Sequence, residues 1–174
     1  MSQYPDQDKK DFLFYSDLIT SLKTTREVAD FVSEIDTLML TFFKSEDPSL
    51  EKALSSIGVD SARKIAQFFQ KNNFDTGNKD VIIDFFETLK SLMKKFKVIK
   101  LVLAFNPTHK TIENIYNFVK DIAGIGYIFD LEVSEDILGG IIIIFNGKYS
   151  DLTLKRDIEE TFNFKNKEIL QLYK

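Results

Sequence analysis

The sequence contains no cysteine, so disulfides, thiolate nucleophiles and cysteine-ligated metals are excluded together. Such a chain fits a reducing compartment. His109 is the only histidine, which rules out His pairs and His-based metal clusters. It stands beside Lys110 at a polar helix start, where a solvated side chain is expected. The longest nearly uncharged apolar run, Ile137 to Phe145, falls far short of the roughly 20 residues that a membrane-spanning helix needs. The opening "MSQYPDQDKKDF" has no apolar core behind a positive start, so no secretory signal is expected and the chain is expected to stay in the cytoplasm. A net charge of −4 and a pI near 5.1 argue against a general affinity for phosphate backbones, so nucleic acid is not an expected partner.

Signatures of chemistry are missing as well. Gly124-Ile-Gly126 lacks a third glycine and precedes a strand, where a dinucleotide loop has to open a helix; a helix C-cap is the expected role. No G-x-x-x-x-G-K-[ST] and no G-x-S-x-G occurs, so no cofactor site and no activated serine is expected. Asp130 and Glu132 share one face of a strand-like segment, but the alternation there makes that face the wet one, where carboxylate pKa values move little. Glu135 and Asp136 are too few for a calcium loop and read as a polar turn. Lys90, Lys94, Lys95 and Lys97 cluster near a helix C-terminus, where cations complement the dipole. No metal site is expected.

What the sequence does hold is apolar pattern. With 174 residues, 44% of them hydrophobic and 13% aromatic, it can build one ordinary domain or two small ones. From Lys9 to about Phe96 the period is helical: Phe12, Tyr15, Ile19 and Leu22 on one face; Val28, Phe31, Ile35, Leu38 and Phe42 on another; Ile82, Phe85, Phe86, Leu89, Met93 and Phe96 on a third. Pro48 suits the first turn of a helix, Ser61 is an N-cap candidate for a helix carrying Ile65, Phe68 and Phe69, and Asn72, Asn73, Gly77 and Asn78 mark a turn.

After Lys97 the period changes. "VIKLVLAF" reads as a strand, and a helix follows with Thr108 as N-cap, Ile112, Ile115, Tyr116, Val119 and Ile122 inward, and Gly124 as terminator. "YIFDLEV" alternates, with Tyr127, Phe129, Leu131 and Val133 on one side. "GIIIIF" is apolar on both faces and is expected to lie deeper. A closing helix is expected over Thr153 to Phe164, with Leu154, Ile158 and Phe162 inward. The expected architecture is α+β: a helical bundle over residues 1–97 and a small α/β domain over 98–174.

The stretch "ILGGIIIIFNGKYSDLT" carries the most specific pattern. Gly139 and Gly140 are expected to serve backbone turning or close approach, and Asn146-Gly147 suits a turn of positive φ. The order of elements, with Val133 to Gly140, the apolar strand Ile141 to Phe145, then Asp151, Thr153 and Lys155, resembles the delta subunit of F-type ATP synthases, the bacterial counterpart of the oligomycin-sensitivity-conferring protein. The resemblance covers nearly the whole chain, and Thr153 stands where the family has serine.

That resemblance implies a peripheral-stalk subunit without catalytic activity. It would bind the N-terminal helix of an alpha subunit on the catalytic head, hold the C-terminal ends of the b subunits, and resist rotation of the head during proton-driven ATP synthesis. It would lie at the cytoplasmic face of the cell membrane, peripheral to it through the complex. The candidate head-binding face is Phe12, Tyr15, Ile19, Leu22, Ile65, Phe68 and Phe69; the structural motif is Gly139, Gly140, Asn146, Gly147, Asp151 and Thr153. An acidic protein-binding adaptor or regulator outside ATP synthase is the alternative.

Overall fold

A computed structural model describes residues 6–44 and 49–154. The fold is α+β, as the two periods predict. Helices α1 (Asp6–Phe14), α2 (Ser16–Ile19), α3 (Thr25–Lys44), α4 (Leu50–Leu54), α5 (Val59–Lys71) and α6 (Lys79–Met93) come first. Strand β1 (Lys97–Leu103), helix α7 (His109–Ala123), and strands β2 (Tyr127–Val133), β3 (Gly140–Phe145) and β4 (Lys148–Thr153) follow. The described residues form two compact units: those up to Lys97 with 116–128, and 98–115 with those from Phe129 on.

In the first unit the three apolar faces converge on one core. Phe31, Ile35, Leu38 and Phe42 of α3 and Ile82, Phe85, Phe86, Leu89 and Met93 of α6 are buried, with Val28 and Phe96 packed against them. Aromatic side chains pack through this core: Phe69 sits 4.5 Å edge-on from Phe85, Phe68 lies 5.6 Å from Phe85, and Phe12 stacks on Phe96 at 5.7 Å. Local chemistry fixes the helix ends. Thr24 Oγ1 accepts from the Glu27 N–H while Glu27 Oε2 accepts from the Lys23 and Thr24 N–H groups, a reciprocal box that starts α3. Asn78 Oδ1 accepts from the N–H groups of Asp80 and Val81 and starts α6.

Two helix boundaries differ from the sequence reading. The face Phe12, Tyr15, Ile19, Leu22 does not run along one helix, because the helix breaks at Tyr15 between α1 and α2. Helix α5 starts at Val59, so Ser61 lies inside its first turn. Gly58 is the N-cap, and its N–H donates to Glu34 Oε1 at 3.2 Å. Pro48 lies outside the described residues.

The four strands form one mixed sheet in the order β2-β1-β3-β4. β3 runs antiparallel to both neighbours, with Leu101 opposite Ile143 and Ile143 opposite Ser150. The Lys97 N–H donates to the Gly126 carbonyl and the Ser134 N–H to the Leu103 carbonyl, so β1 and β2 advance together and are parallel. Helix α7 is the crossover that such a pair requires. Thr108 Oγ1 caps it by accepting from the Thr111 N–H at 3.2 Å, and Gly124, at φ +87°, ends it.

Burial corrects several expectations in this half. Ile122, expected inward, is 71% exposed, and Val133 is 44% exposed. Every residue of β3 is only half-buried, although its apolar run pointed to a deep strand. A central place in the hydrogen-bonded ladder gives a strand neighbours at its edges; it does not give cover on its faces. β4 ends at Thr153 and Leu154 is helical, so the helix start falls one residue later than expected; Leu154, expected inward, is 53% exposed, and residues 155–164 of the expected closing helix lie outside the described residues.

Candidate functional site

The glycine stretch is built for backbone contact. Gly140 adopts φ +94°, and a Cβ added there would stand 2.3 Å from the Leu152 carbonyl oxygen and 2.8 Å from Thr153 Cα. Both are backbone atoms of the neighbouring strand, so only glycine fits. At Gly139 the same test meets the tip of a flexible side chain, Leu154 Cδ1, at 2.6 Å. The two glycines therefore differ: Gly140 is required by its place and Gly139 is accommodated.

Asn146 (φ +50°) and Gly147 (φ +73°) close the β3–β4 hairpin in two residues, with Phe145 opposite Lys148. Positive φ at both central positions is the type I′ turn, whose twist matches that of the strands it joins. Asp151 has a role the sequence did not disclose. In a two-residue hairpin the N–H of Thr153 points away from β3 to the open edge of the sheet, and Asp151 Oδ1 accepts it at 2.9 Å. One edge donor is thereby closed to other strands. Thr153 itself is 4% exposed.

The seven side chains taken as a head-binding face occupy the interior instead. Phe12, Tyr15, Ile19, Leu22, Ile65, Phe68 and Phe69 are each 8% exposed or less, within one continuous core. They shape the helical unit and offer almost no surface to a partner. Burial, with the nearby Asp84 and Asp11 carboxylates, pushes the Tyr15 hydroxyl above its usual pKa.

The surface of that unit carries concavities that the sequence did not reveal. Two of about 680 and 540 Å³ lie side by side along α4 and α5, sharing Glu51, Leu54 and Ala66. Ala62 and Ala66, four residues apart on α5, line this strip with small side chains. Their spacing was visible in the sequence, but small residues leave almost no trace in an apolar pattern.

The charged candidates are surface pairs. Glu132 accepts from Lys100 at 2.6 Å with both side chains exposed, and that bond raises the lysine's pKa. Lys95 reaches Asp8 at 2.7 Å, and Lys90 reaches Asp36. His109 opens α7 at the surface. Among the described residues, no group of three or more His, Asp or Glu side chains stands where it could hold a metal ion, and no helix is long and apolar enough to cross a membrane. The arrangement offers a packed aromatic core and exposed contact surface.

The chain matches no protein-family model, and it matches no curated protein. A solved structure similar to part of it is a chain of the Polytomella F-ATP synthase in primary rotary state 3, seen by electron cryomicroscopy. The two are 22% identical with a TM-score of 0.39, over 44% of this chain and 99% of that one.

Proposed function

We propose that the chain is a stator subunit of an F-type ATP synthase, joining the catalytic head to the peripheral stalk and catalysing nothing itself. One observation carries this reading: several residues of the stretch that carries the sequence resemblance have structural work in the β3–β4 hairpin. Gly140 allows two strands to approach within a Cβ radius, Asn146-Gly147 sets their register, and Asp151 closes the free edge beside Thr153. A connector that resists torque needs fixed register and a stiff core, and the ring cluster around Phe69 and Phe85 supplies the second.

In this reading residues 1–97 take the N-terminal helix of an alpha subunit, and residues 98–174 hold the C-terminal ends of the b subunits. The contacts with the head come from exposed side chains, for which the strip along α4 and α5 offers apolar surface in the helix-in-groove manner. The chain sits at the cytoplasmic face of the membrane through the complex.

The test is capture from native membranes with the tagged full-length chain, followed by peptide identification. Alpha and b subunits recovered together support the proposal. Their absence from a capture that yields other proteins overturns it in favour of an adaptor outside the synthase. Calorimetric titration with ATP is expected to give no saturable heat in the micromolar range.

A further inference from the structure

Asn146 is the one asparagine of the chain that a glycine follows. Such a pair is prone to react with itself, because the glycine nitrogen has no side chain beside it to screen its approach. Gly147 N gives up its proton to hydroxide and bonds to Asn146 Cγ, the Cγ–Nδ2 bond breaks, and Nδ2 leaves as ammonia. Water then opens the resulting five-membered imide. Addition at Cγ gives aspartate in a normal chain, whereas addition at the backbone carbonyl carbon gives isoaspartate, whose chain runs through Cβ. In balance, one water enters and one ammonia leaves.

Access favours this reaction and backbone geometry opposes it. Asn146 and Gly147 are both exposed, and nothing stands within 4 Å of the place that a Gly147 Cβ would take. Ring closure, however, needs Gly147 N and Asn146 Cβ on the same side of the Asn146 Cα–C bond. With φ +50° at Asn146 and +73° at Gly147, the turn is the mirror image of type I. Its first central residue has ψ of about +30°, and Cβ of an L-residue is offset by about 120° from its own nitrogen, so Gly147 N stands about 150° from Cβ. The two are nearly opposite. Closure requires ψ of about −120°, a rotation that Phe145 and Lys148 cannot follow while they remain paired.

We propose that Asn146 is a modification site guarded by the hairpin: it deamidates when the β3–β4 pairing opens, and isoaspartate then bars the hairpin from closing again. Two central residues of ordinary length set the Phe145–Lys148 pairing, and isoaspartate adds a backbone atom between its ends. The aspartate product differs, since Asp-Gly suits the same turn. Intact molecules keep their carboxamide, and molecules that have opened often lose β4 from the sheet for good. The inference rests on the hairpin alone and is independent of the ATP synthase reading.

The test follows the Asn146 peptide of the full-length chain by mass at mildly alkaline pH, with the isoaspartyl form separated by chromatography. Native wild type is compared with the same chain unfolded in urea and with Gly140→Ala, in which a Cβ meets the β4 backbone and weakens the same pairing. Because opening precedes reaction, the rate follows the open population; native wild type is expected to react about tenfold or more slower than either comparison. The urea comparison stands whether or not the variant folds. Equal rates in native and unfolded wild type overturn the guard, and a Gly140→Ala rate equal to that of native wild type overturns the link to β3–β4 pairing. No reaction at Asn146 in urea overturns the site itself. Hydrogen exchange on the aged sample reads the consequence: isoaspartyl molecules are expected to lose protection in β3 and β4, and Asn146→Asp to keep it. Isoaspartyl molecules protected like the wild type overturn the claim that closing is barred.

Discussion

Replacing Gly140 by alanine tests whether this position is set by the backbone or by convention. The substitution meets two separate obstacles. φ +94° is a region that L-residues adopt at a cost of roughly 1–3 kcal/mol. The new Cβ also lands 2.3 Å from the Leu152 carbonyl oxygen, and forcing an extra carbon into a packed place costs about a further 1–3 kcal/mol. Strand β4 is held by its ladder and by the hairpin, so relief requires breaking the Gly140–Thr153 end of the pairing. A total of about 2–6 kcal/mol is expected, localised to β3 and β4. Two companion variants separate the terms. Gly147→Ala has φ +73° with nothing within 4 Å, so it carries the dihedral cost alone. Gly139→Ala meets only the Leu154 side-chain tip and is expected to lose under about 1 kcal/mol. Hydrogen exchange resolved over residues 126–154 reads all three, since the two units need not unfold together. If Gly140→Ala protects β3 and β4 amides as well as Gly147→Ala does, the close approach has been misjudged.

Asn78→Ala removes the side-chain acceptor that starts α6; a loss of about 1 kcal/mol is expected in urea denaturation of the helical unit, largely restored by Asn78→Ser. Tyr15 has its pKa raised in the folded state by burial first and by Asp84 and Asp11 next, so the native chain holds the proton more tightly than the unfolded chain. Its contribution is intact below the unfolded pKa near about 10 and is lost as pH rises through the folded value. Tyr15→Phe is therefore expected to move alkaline unfolding to higher pH, and an unchanged midpoint contradicts this cause.

The parts of the fold that a period or a turn residue can encode were legible. Helices α3 and α6 follow from their apolar spacing, the hairpin from Asn146-Gly147, and the crossover helix from Thr108 and Gly124. The side chains of the candidate contact face lie in the core for a physical reason. An apolar stripe such as Phe12, Tyr15, Ile19 and Leu22 looks the same whether it faces a core or a partner, and within the helical unit the core claimed it. The β3 isoleucines failed differently, because pairing order decides a strand's neighbours while layer cover decides its burial. Asp151 could not be found from its own residue type, since its role depends on which N–H of β4 points outward. Exposure at Ile122 shows the same limit: spacing on α7 defines a stripe, and its width depends on what lies against it.

As a stator subunit, in the proposed reading, one molecule would hold head and stalk at once. The direct measurement is sedimentation of the full-length chain with a peptide for the N-terminal helix of an alpha subunit and with a soluble b-subunit dimer, singly and together. A ternary species containing all three is expected, with each partner binding as well in the presence of the other as alone. Binding of neither partner, or displacement of one by the other, would contradict it.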